Sequence, residues 1–252
     1  MLLAIMIGNA NVRVGLFKDG ELHATRFDSA TLRAPSWYAS RVKELMDAHG
    51  VSDVPVVLGS VVKDLSGVVA EGAAIATGSM PFIATYAHAA PLRLDVERPE
   101  ALGIDRIAVA VAAEAHWGSP LAVVDFGTAT TVNFVDDGPV FLGGAILPGL
   151  GLMGRSMGRG TAALPEIEPR ATGEALGRDT GPAMLSGIIF GTAGAVMRII
   201  EEVRIARSRA FSIAATGGYA SLVVPHMGGV SFTEPELALR GLRLMYEGHT
   251  HA

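Results

Sequence analysis

A repeat at half the chain length limits the folds that this 252-residue sequence can adopt. The segment IMIGNAN around Gly8 matches VDFGTAT around Gly127 when the two glycines are superimposed, an offset of 119 residues. Each segment ends a short apolar run and leads to an Asp-Gly dipeptide, which is a strong signal of a hairpin turn. The two Asp-Gly turns keep the same offset to within one residue. A duplication on this scale predicts two similar lobes rather than a solenoid.

Apolar spacing predicts an α/β protein in which strands and helices alternate. Strands are expected at 2–7, 12–16, 21–27, 54–58, 121–125, 132–134, 140–142 and 211–215, and helices at 36–49, 61–71, 105–116, 182–209 and 234–247. The last helix is expected to end at a cap on Gly248. We expect an N-terminal lobe at 1–115 and a C-terminal lobe at 116–252.

Composition excludes several classes of protein. Half of the residues are hydrophobic and 18% are charged, which is typical of a compact globular chain. The net charge of −5 gives no support for nucleic-acid binding. The absence of cysteine excludes disulfides, thiolate zinc sites and a cysteine nucleophile, and it fits a reducing cytoplasm. The sequence has neither 18 unbroken apolar residues nor a basic leader, so we expect no membrane segment and a cytoplasmic location.

A strand, a glycine turn and a second strand together form an element suited to binding phosphate. Backbone N–H groups at the turn can point at the anion, and glycine lets the backbone approach without a Cβ clash. Further donors near the two glycines are the hydroxyls of Thr128, Thr130 and Thr131 and the amides of Asn9 and Asn11. Two such hairpins facing each other would hold a triphosphate, and Asp125 would bind Mg²⁺ directly or through water. The alternative for each turn is an ordinary hairpin.

Two other segments carry candidate functional residues. Asp105 and Arg106 lie at the start of a predicted helix. There Asp105 either caps the helix, which is the commoner role, or accepts a hydroxyl proton during phosphoryl transfer. Arg106 can bind a carboxylate through two hydrogen bonds. Gly217 and Gly218 follow a predicted strand, where they form either a loop close to a nucleotide base or ribose, or an ordinary turn.

These motifs resemble those of the type III pantothenate kinases. That family has a first phosphate motif D-x-G-N-T-N, a substrate motif G-x-D-R and a second phosphate motif D-F-G-T-A-T-T. This sequence has IGNAN at 7–11, GIDR at 103–106 and the full heptad at 125–131. It is also similar at 142–149, 161–165, 177–180, 186–187, 215–218 and 239–242, so the resemblance covers nearly the whole chain.

The resemblance implies a function and a set of residue roles. It implies the two-lobed, ribonuclease H-like fold of actin, Hsp70 and sugar kinases, and ATP-dependent phosphorylation of pantothenate to 4'-phosphopantothenate, the first step towards coenzyme A. It also implies a homodimer, Mg²⁺ and a monovalent cation, K⁺ or NH₄⁺. By position, the general base is Asp105, the pantothenate-binding residues are Gly103, Ile104, Arg106 and Thr180, the metal ligand is Asp125, and the ATP-binding residues are Gly8, Asn9, Asn11, Gly127, Thr128, Thr130, Thr131, Gly217 and Gly218.

The sequence departs from the family pattern at four positions. Met6 replaces the aspartate of the first motif, and Ala10 replaces its threonine. A thioether cannot replace a carboxylate near Mg²⁺, which takes oxygen ligands. Val96 and Arg98 stand where the family has tyrosine and asparagine. Three hypotheses follow: a working pantothenate kinase, an impaired relative that binds a nucleotide or small acid in a regulatory role, and a kinase for another small molecule.

Overall fold

The computed structural model describes residues 1–250, with eleven strands and seven α-helices in that range. In chain order the strands are β1 Leu2–Ile7, β2 Asn11–Lys18, β3 Glu21–Asp28, β4 Val56–Ser60, β5 Phe82–Ile83, β6 Arg93–Leu94, β7 Leu121–Phe126, β8 Ala129–Asp136, β9 Val140–Pro148, β10 Ser212–Thr216 and β11 Val230–Thr233. The helices are α1 Pro35–Ala48, α2 Lys63–Thr77, α3 Ile104–Trp117, α4 Leu150–Gly160, α5 Thr180–Arg207, α6 Ala220–Val223 and α7 Leu237–Thr250.

The chain forms two compact units. Unit 1 is Met1–Ala115 together with the chain from Glu236 onwards, and unit 2 is His116–Pro235. The boundary after Ala115 is the one expected from the repeat, whereas α7 joins unit 1 instead of the C-terminal lobe expected at 116–252. The reason is that α7 packs against β1 and β4. The repeat, which involves only the hairpins, carries no information about this helix.

The sheet of unit 1 has the order β3-β2-β1-β4-β5. β1, β2 and β3 are antiparallel neighbours, and β4 and β5 run parallel to β1. Alternate residues such as Ile7 and Val12 enter a core with Val42 of α1 and Val69 of α2. This alternation follows from the period of two along a strand, so the other face of the sheet is left for α7.

The sheet of unit 2 has the order β11-β10-β7-β8-β9. β7, β8 and β9 form an antiparallel meander, and β10 and β11 run parallel to β7. Its core brings Phe126 and Val132 of the meander against Ile189 and Val196 of α5. By length and composition alone, α5 would be able to span a bilayer, and half of its most apolar window is buried. The core helix of a soluble protein meets the same criterion.

The duplicated hairpins predicted from the repeat are confirmed, with a shift of one residue on the return strand. Ile7 pairs with Val12 across β1 and β2, so four residues form the first turn. Phe126 pairs with Thr130 across β7 and β8, so three residues form the second turn. The gapless superposition that placed Asn11 on Thr130 is therefore wrong beyond the turn. The missing residue reduces the offset from 119 to 118 at the Asp-Gly turns.

Most expected elements are present, and the largest differences lie near glycines. The cap predicted at Gly248 is wrong, because α7 continues to Thr250. α4 was not predicted, since glycine disfavours helices and four of its eleven residues are glycine. Two of them allow close packing: a Cβ at Gly154 would lie 2.2 Å from the Ile167 carbonyl oxygen, and one at Gly158 would lie 2.6 Å from Glu166. Close tertiary packing thus overrides poor helix propensity.

Candidate functional site

The first glycine turn lies at the carboxyl edge of the unit 1 sheet. β1 and β4 are parallel and end side by side, and the Val61 N–H donates to the Ile7 carbonyl at 3.0 Å. The Gly8 N–H donates across the turn to the Asn11 carbonyl at 2.9 Å. Asn9 and Asn11 are exposed, so their amides are accessible to a ligand.

The GIDR segment meets the same edge. A Cβ placed on Gly103 would lie 3.8 Å from Cγ1 of Val61. A Cβ placed on Gly59 would lie 3.4 Å from Cγ1 of Ile104. The half-buried Asp105 carboxylate accepts a hydrogen bond from the Arg106 N–H at 2.8 Å within the first turn of α3. Burial lowers the pKa of the Arg106 guanidinium, and the charge of Asp105 opposes this shift. Unit 1 therefore brings a carboxylate and a guanidinium to the edge that carries the first glycine turn.

The second glycine turn carries a polar face that the first lacks. Asp125 pairs across the strands with Thr131, so both side chains lie on the face opposite the Phe126 core. The side-chain amide of the fully buried Asn133 donates to the Thr131 hydroxyl at 3.2 Å. A carboxylate and an oriented hydroxyl thus lie side by side, two residues from the turn.

Two other loops of unit 2 converge on this turn. Thr216 of β10 is the register neighbour of Asp125, and a Cβ at Gly217 would lie 2.3 Å from Oδ1 of Asp125. Gly217 has φ +95°, a conformation that only glycine adopts readily. The Gly149 N–H, just before α4, donates to the Thr128 carbonyl at 3.1 Å. The second turn, the Gly217 loop and the start of α4 therefore form one cluster around Asp125.

Comparison with known proteins identifies the family. The type III pantothenate kinase family matches residues 2–202. The chain is 36% identical over 258 residues to the type III pantothenate kinase of Brevibacillus brevis, covering 98% of each chain. It is 36% identical over 251 residues to that of Thermomicrobium roseum, covering 98% of this chain and 97% of the relative. The chain belongs to the type III pantothenate kinase family. It is thus a member of a phosphotransferase family.

The fold class is also confirmed. The structure resembles the activator of 2-hydroxyisocaproyl-CoA dehydratase from Clostridium difficile, solved with bound ADPNP, with a TM-score of 0.56. The match covers 99% of this chain and 96% of the other, at 11% identity. Likeness at this identity shows the fold alone. Members of the type III pantothenate kinase family and this activator share the α/β fold of actin, Hsp70 and the sugar kinases.

The residues predicted to bind the substrate belong to different units. Gly103, Ile104 and Arg106 belong to unit 1, whereas Thr180 is the first residue of α5 in unit 2. Thr180 is exposed and lines a cavity of about 850 Å³. The cavity is mainly apolar, and its other lining residues are Pro148, Leu152, Met153, Ser156, Met157, Leu164, Ala183, Met184, Gly187 and Ile188.

The three threonines of the second motif differ in environment. Thr128 is exposed at the turn and Thr131 is half-buried beside Asp125. Thr130 is fully buried on the core side with Phe126, and its hydroxyl has no hydrogen-bond partner within residues 1–250. Gly218 is exposed next to Gly217, and a Cβ there would meet nothing within 4 Å. The polar face of the second motif thus consists of Asp125 and Thr131, with Thr128 at its tip.

Sequence reasoning missed Asn133 and Tyr219 in this cluster, and it included Gly149 only within the matching segment 142–149. Asn133 lies two residues after Thr131, and the period of two along a strand was a usable signal for their shared face. Tyr219 donates its backbone N–H to the Phe126 carbonyl at 3.1 Å. The contacts of Gly149 and Tyr219 were not predictable, because each joins segments distant along the chain.

Proposed function

We propose that this protein phosphorylates pantothenate with ATP, forming 4'-phosphopantothenate. The observation that carries the proposal is the cluster in unit 2, where a carboxylate, a hydroxyl and two glycine loops meet at strand ends. Backbone N–H groups and hydroxyls at such turns suit phosphate oxygens. In a member of the type III pantothenate kinase family, ATP is the phosphate donor that this chemistry supports best.

The glycines of the two turns support phosphate binding in another way. Neither Gly8 nor Gly127 has a positive φ. A Cβ at Gly8 would make an ordinary contact of 3.4 Å with the Asn11 carbonyl oxygen, and one at Gly127 would lie 3.5 Å from Ala129 O. The fold alone therefore does not require glycine at either position. Close approach of a phosphate to the backbone is a reason for glycine there.

Asp105 is the residue we assign as general base. Proton abstraction needs an acceptor within hydrogen-bond reach of the attacking hydroxyl. The half-buried Asp105 follows Gly103 and Ile104, which lie at the sheet edge that carries the first turn. Arg106 is the partner for the pantothenate carboxylate, which a guanidinium binds through two hydrogen bonds. Gly103 and Ile104 shape this segment, and Thr180 is assigned to the same substrate.

A magnesium site fits the second hairpin and not the first. Mg²⁺ is commonly bound by one or two carboxylates together with substrate phosphates and water, and it neutralises charge on the phosphates during transfer. Asp125 offers such a carboxylate, whereas the corresponding Met6 offers none. Residues 1–250 contain no cluster of three or more His, Asp or Glu side chains able to hold a metal. The monovalent cation remains a prediction from the family resemblance.

Two other carboxylates, Asp136 and Glu97, are alternatives to the missing aspartate of the first motif. Asp136 lies at the opposite end of β8, where it forms an ion pair with Arg209. Burial raises the pKa of Asp136, but hydrogen bonds from the Asp137 N–H and Arg209 outweigh this and lower it overall. Glu97 is exposed in the segment before α3. We therefore assign no metal ligand beyond Asp125.

We also propose a cytoplasmic homodimer. The apolar cavity beside Thr180 and the half of the apolar window of α5 that is not buried offer a surface for a second copy. Homodimer interfaces are more apolar than the rest of a protein surface. Size-exclusion chromatography with light scattering tests this, and a monomer at micromolar concentration contradicts it.

A second candidate function is a binding protein that does not transfer phosphate. The observation that favours it is Met6, fully buried where the second hairpin has Asp125. Such a protein binds ATP but forms no phosphopantothenate. Phosphorylation of another small molecule is the third candidate, favoured by Val96 and Arg98.

The decisive experiment measures phosphopantothenate formed from ATP, Mg²⁺, K⁺ and pantothenate. We expect turnover in the wild type and a fall in kcat of about 10²–10⁴-fold in Asp105→Asn, because the base is lost. The matched control is Asp64→Asn, since Asp64 occupies the first turn of α2 as Asp105 does in α3. Equal turnover in wild type and Asp105→Asn contradicts the assignment. ATP binding without turnover supports the second candidate.

A further inference from the structure

A cluster of four rings joins the end of α7 to the segment that follows β5. Phe82 of β5 lies at its centre. The Phe82 ring centroid is 4.7 Å from that of His88, 4.8 Å from that of His249 and 5.5 Å from that of Tyr246. The two imidazoles are 5.1 Å apart and meet edge to face. His88 ends the short 3₁₀ helix Tyr86–His88, and His249 lies in the last turn of α7. The rings therefore hold the end of α7 against this part of unit 1.

The imidazole of His88 takes part in a small hydrogen-bonded box with Thr85. Nδ1 of His88 accepts the Thr85 N–H at 3.0 Å and lies 3.2 Å from the Thr85 hydroxyl oxygen. The His88 N–H donates in turn to the Thr85 carbonyl at 3.0 Å. An imidazole nitrogen accepts a hydrogen bond only when it carries no proton. The box therefore requires a neutral His88 whose proton is on Nε2.

The surroundings of His88 oppose its protonation. Burial lowers the pKa of His88, and the positive charge of a protonated His249 lowers it further. The elements around His88 carry four other ionisable groups: Tyr86 on its own turn, and Arg243, Tyr246 and Glu247 on α7. Arg243 and Glu247 form an ion pair with each other, and β5 contributes no charged side chain. His249 is therefore the group whose charge His88 meets when both rings are protonated.

These contacts give the attachment of α7 a pH dependence with a definite sign. Folded unit 1 binds a proton at His88 less readily than the unfolded chain does, because the pKa is lowered on folding. The stabilisation is therefore fully present above about pH 6.5, the ordinary value for an imidazole, and is lost as the pH falls through the lower pKa of the folded state. Protonated His88 loses the hydrogen bond from Thr85 and repels protonated His249.

α7 connects the ring cluster to the sheet edge that carries the GIDR segment. A Cβ placed on Gly59 of β4 would lie 2.8 Å from Cδ2 of Leu242 and 3.4 Å from Cγ1 of Ile104. Leu242 of α7 therefore meets Ile104, which precedes Asp105, at one point of the sheet. Leu242 and His249 are two helical turns apart, or about 10 Å. A change at the end of α7 thus takes place within two turns of this edge.

We propose that His88 and His249 form an acid-sensitive clasp, which holds the last turns of α7 on unit 1 while His88 is neutral and releases them when both imidazoles are protonated. The clasp is a conformational device within unit 1. It goes beyond the proposed function, since it concerns the attachment of α7 and requires neither ATP nor pantothenate.

Histidine-ring NMR and amide hydrogen exchange of the full chain test the clasp. In the wild type at about pH 7.5, the His88 ring should carry its proton on Nε2. Amide protection in residues 244–249, corrected for intrinsic exchange, should fall about tenfold between about pH 7.5 and 5.5, the size of one lost hydrogen bond. His88→Asn supplies an oxygen that accepts the Thr85 N–H at every pH, so protection should change by less than about twofold. His249→Phe keeps a ring without the charge, so the fall should be only about threefold.

The matched control is His226→Asn in unit 2. His226 also ends a 3₁₀ helix and packs on a phenylalanine, with its ring centroid 4.3 Å from that of Phe190. This variant should leave the tenfold fall in α7 intact. The clasp is wrong if the His88 ring carries its proton on Nδ1 at about pH 7.5. It is also wrong if wild-type protection is equal at the two pH values, or if His88→Asn loses as much protection as the wild type. None of these results bears on phosphopantothenate formation, so the proposed function would stand.

Discussion

The two glycine hairpins have nearly the same backbone but different polar side chains. In both, a buried strand ends at a glycine and returns through a turn to an antiparallel partner. In unit 2 the turn is flanked by the pair Asp125 and Thr131, and in unit 1 by Met6 and Arg13. The comparison shows that the buried side chains which hold the hairpin together can stay apolar while the polar side chains beside the turn change.

The reason lies in the alternation of side chains along a strand. Ile7 and Val12 in unit 1, like Phe126 and Val132 in unit 2, face their own helical layers and are buried. These positions hold the hairpin in its register. The opposite face is free to change its charge, provided that the replacement packs as Met6 does. A duplicated element can therefore keep its shape while one copy loses its carboxylate.

The largest expected effect comes from removing the remaining carboxylate. Asp125→Asn should lower kcat by about 10²–10³-fold, because charge at the phosphates is then no longer balanced by a bound metal. Met6→Leu, at the equivalent position of the first hairpin, should change kcat by less than about threefold, since it replaces one apolar side chain with another. Turnover measured against Mg²⁺ concentration checks both variants. Similar losses in the two would mean that Met6 has an active role and that the hairpins do not differ as described.

A smaller effect is expected from the loop that packs on Asp125. Gly217→Ala should lower the free energy of unfolding by about 2–4 kcal/mol, because a Cβ at φ +95° is strained and would lie 2.3 Å from Asp125 Oδ1. Gly218→Ala is the matched control, since a Cβ there meets nothing within 4 Å, and it should change stability by about 0.5 kcal/mol or less. Urea unfolding measures both. Equal free energies of unfolding in the two variants would show that the Gly217 loop does not pack closely on Asp125.

Much of the fold was predictable from local sequence signals. The repeat, the apolar runs before Gly8 and Gly127 and the two Asp-Gly turns together specified the hairpins. The two glycines are 119 residues apart and the two Asp-Gly turns are 118 apart, and this difference of one residue reflects the shorter second turn. The position of α7 in unit 1 was not predictable, because it depends on contacts such as that of Leu242 with Gly59, between residues far apart in sequence.

The candidate site was predictable as a list of residues and less so as an arrangement. Motif spacing identified Asp125, Gly217 and the threonines, but it treated the threonines as equivalent. The strand register separates them, since Thr131 lies beside Asp125 and Thr130 faces the core. The position of Arg13 next to Met6 was not predictable, because it depends on the pairing of β1 and β2.

The smallest expected effect tests whether the two hairpins share phosphate binding despite their different side chains. Gly8→Ala and Gly127→Ala should each leave the free energy of unfolding within about 1 kcal/mol of wild type, because neither glycine has a positive φ and each new Cβ makes only ordinary contacts. Each should weaken ATP binding by about tenfold, since the methyl group obstructs the backbone at the turn. Gly173→Ala, at an open surface position, controls for a general effect of alanine. If only Gly127→Ala loses affinity for ATP, phosphate binding is confined to the second hairpin. If neither variant loses affinity, neither hairpin binds the phosphates.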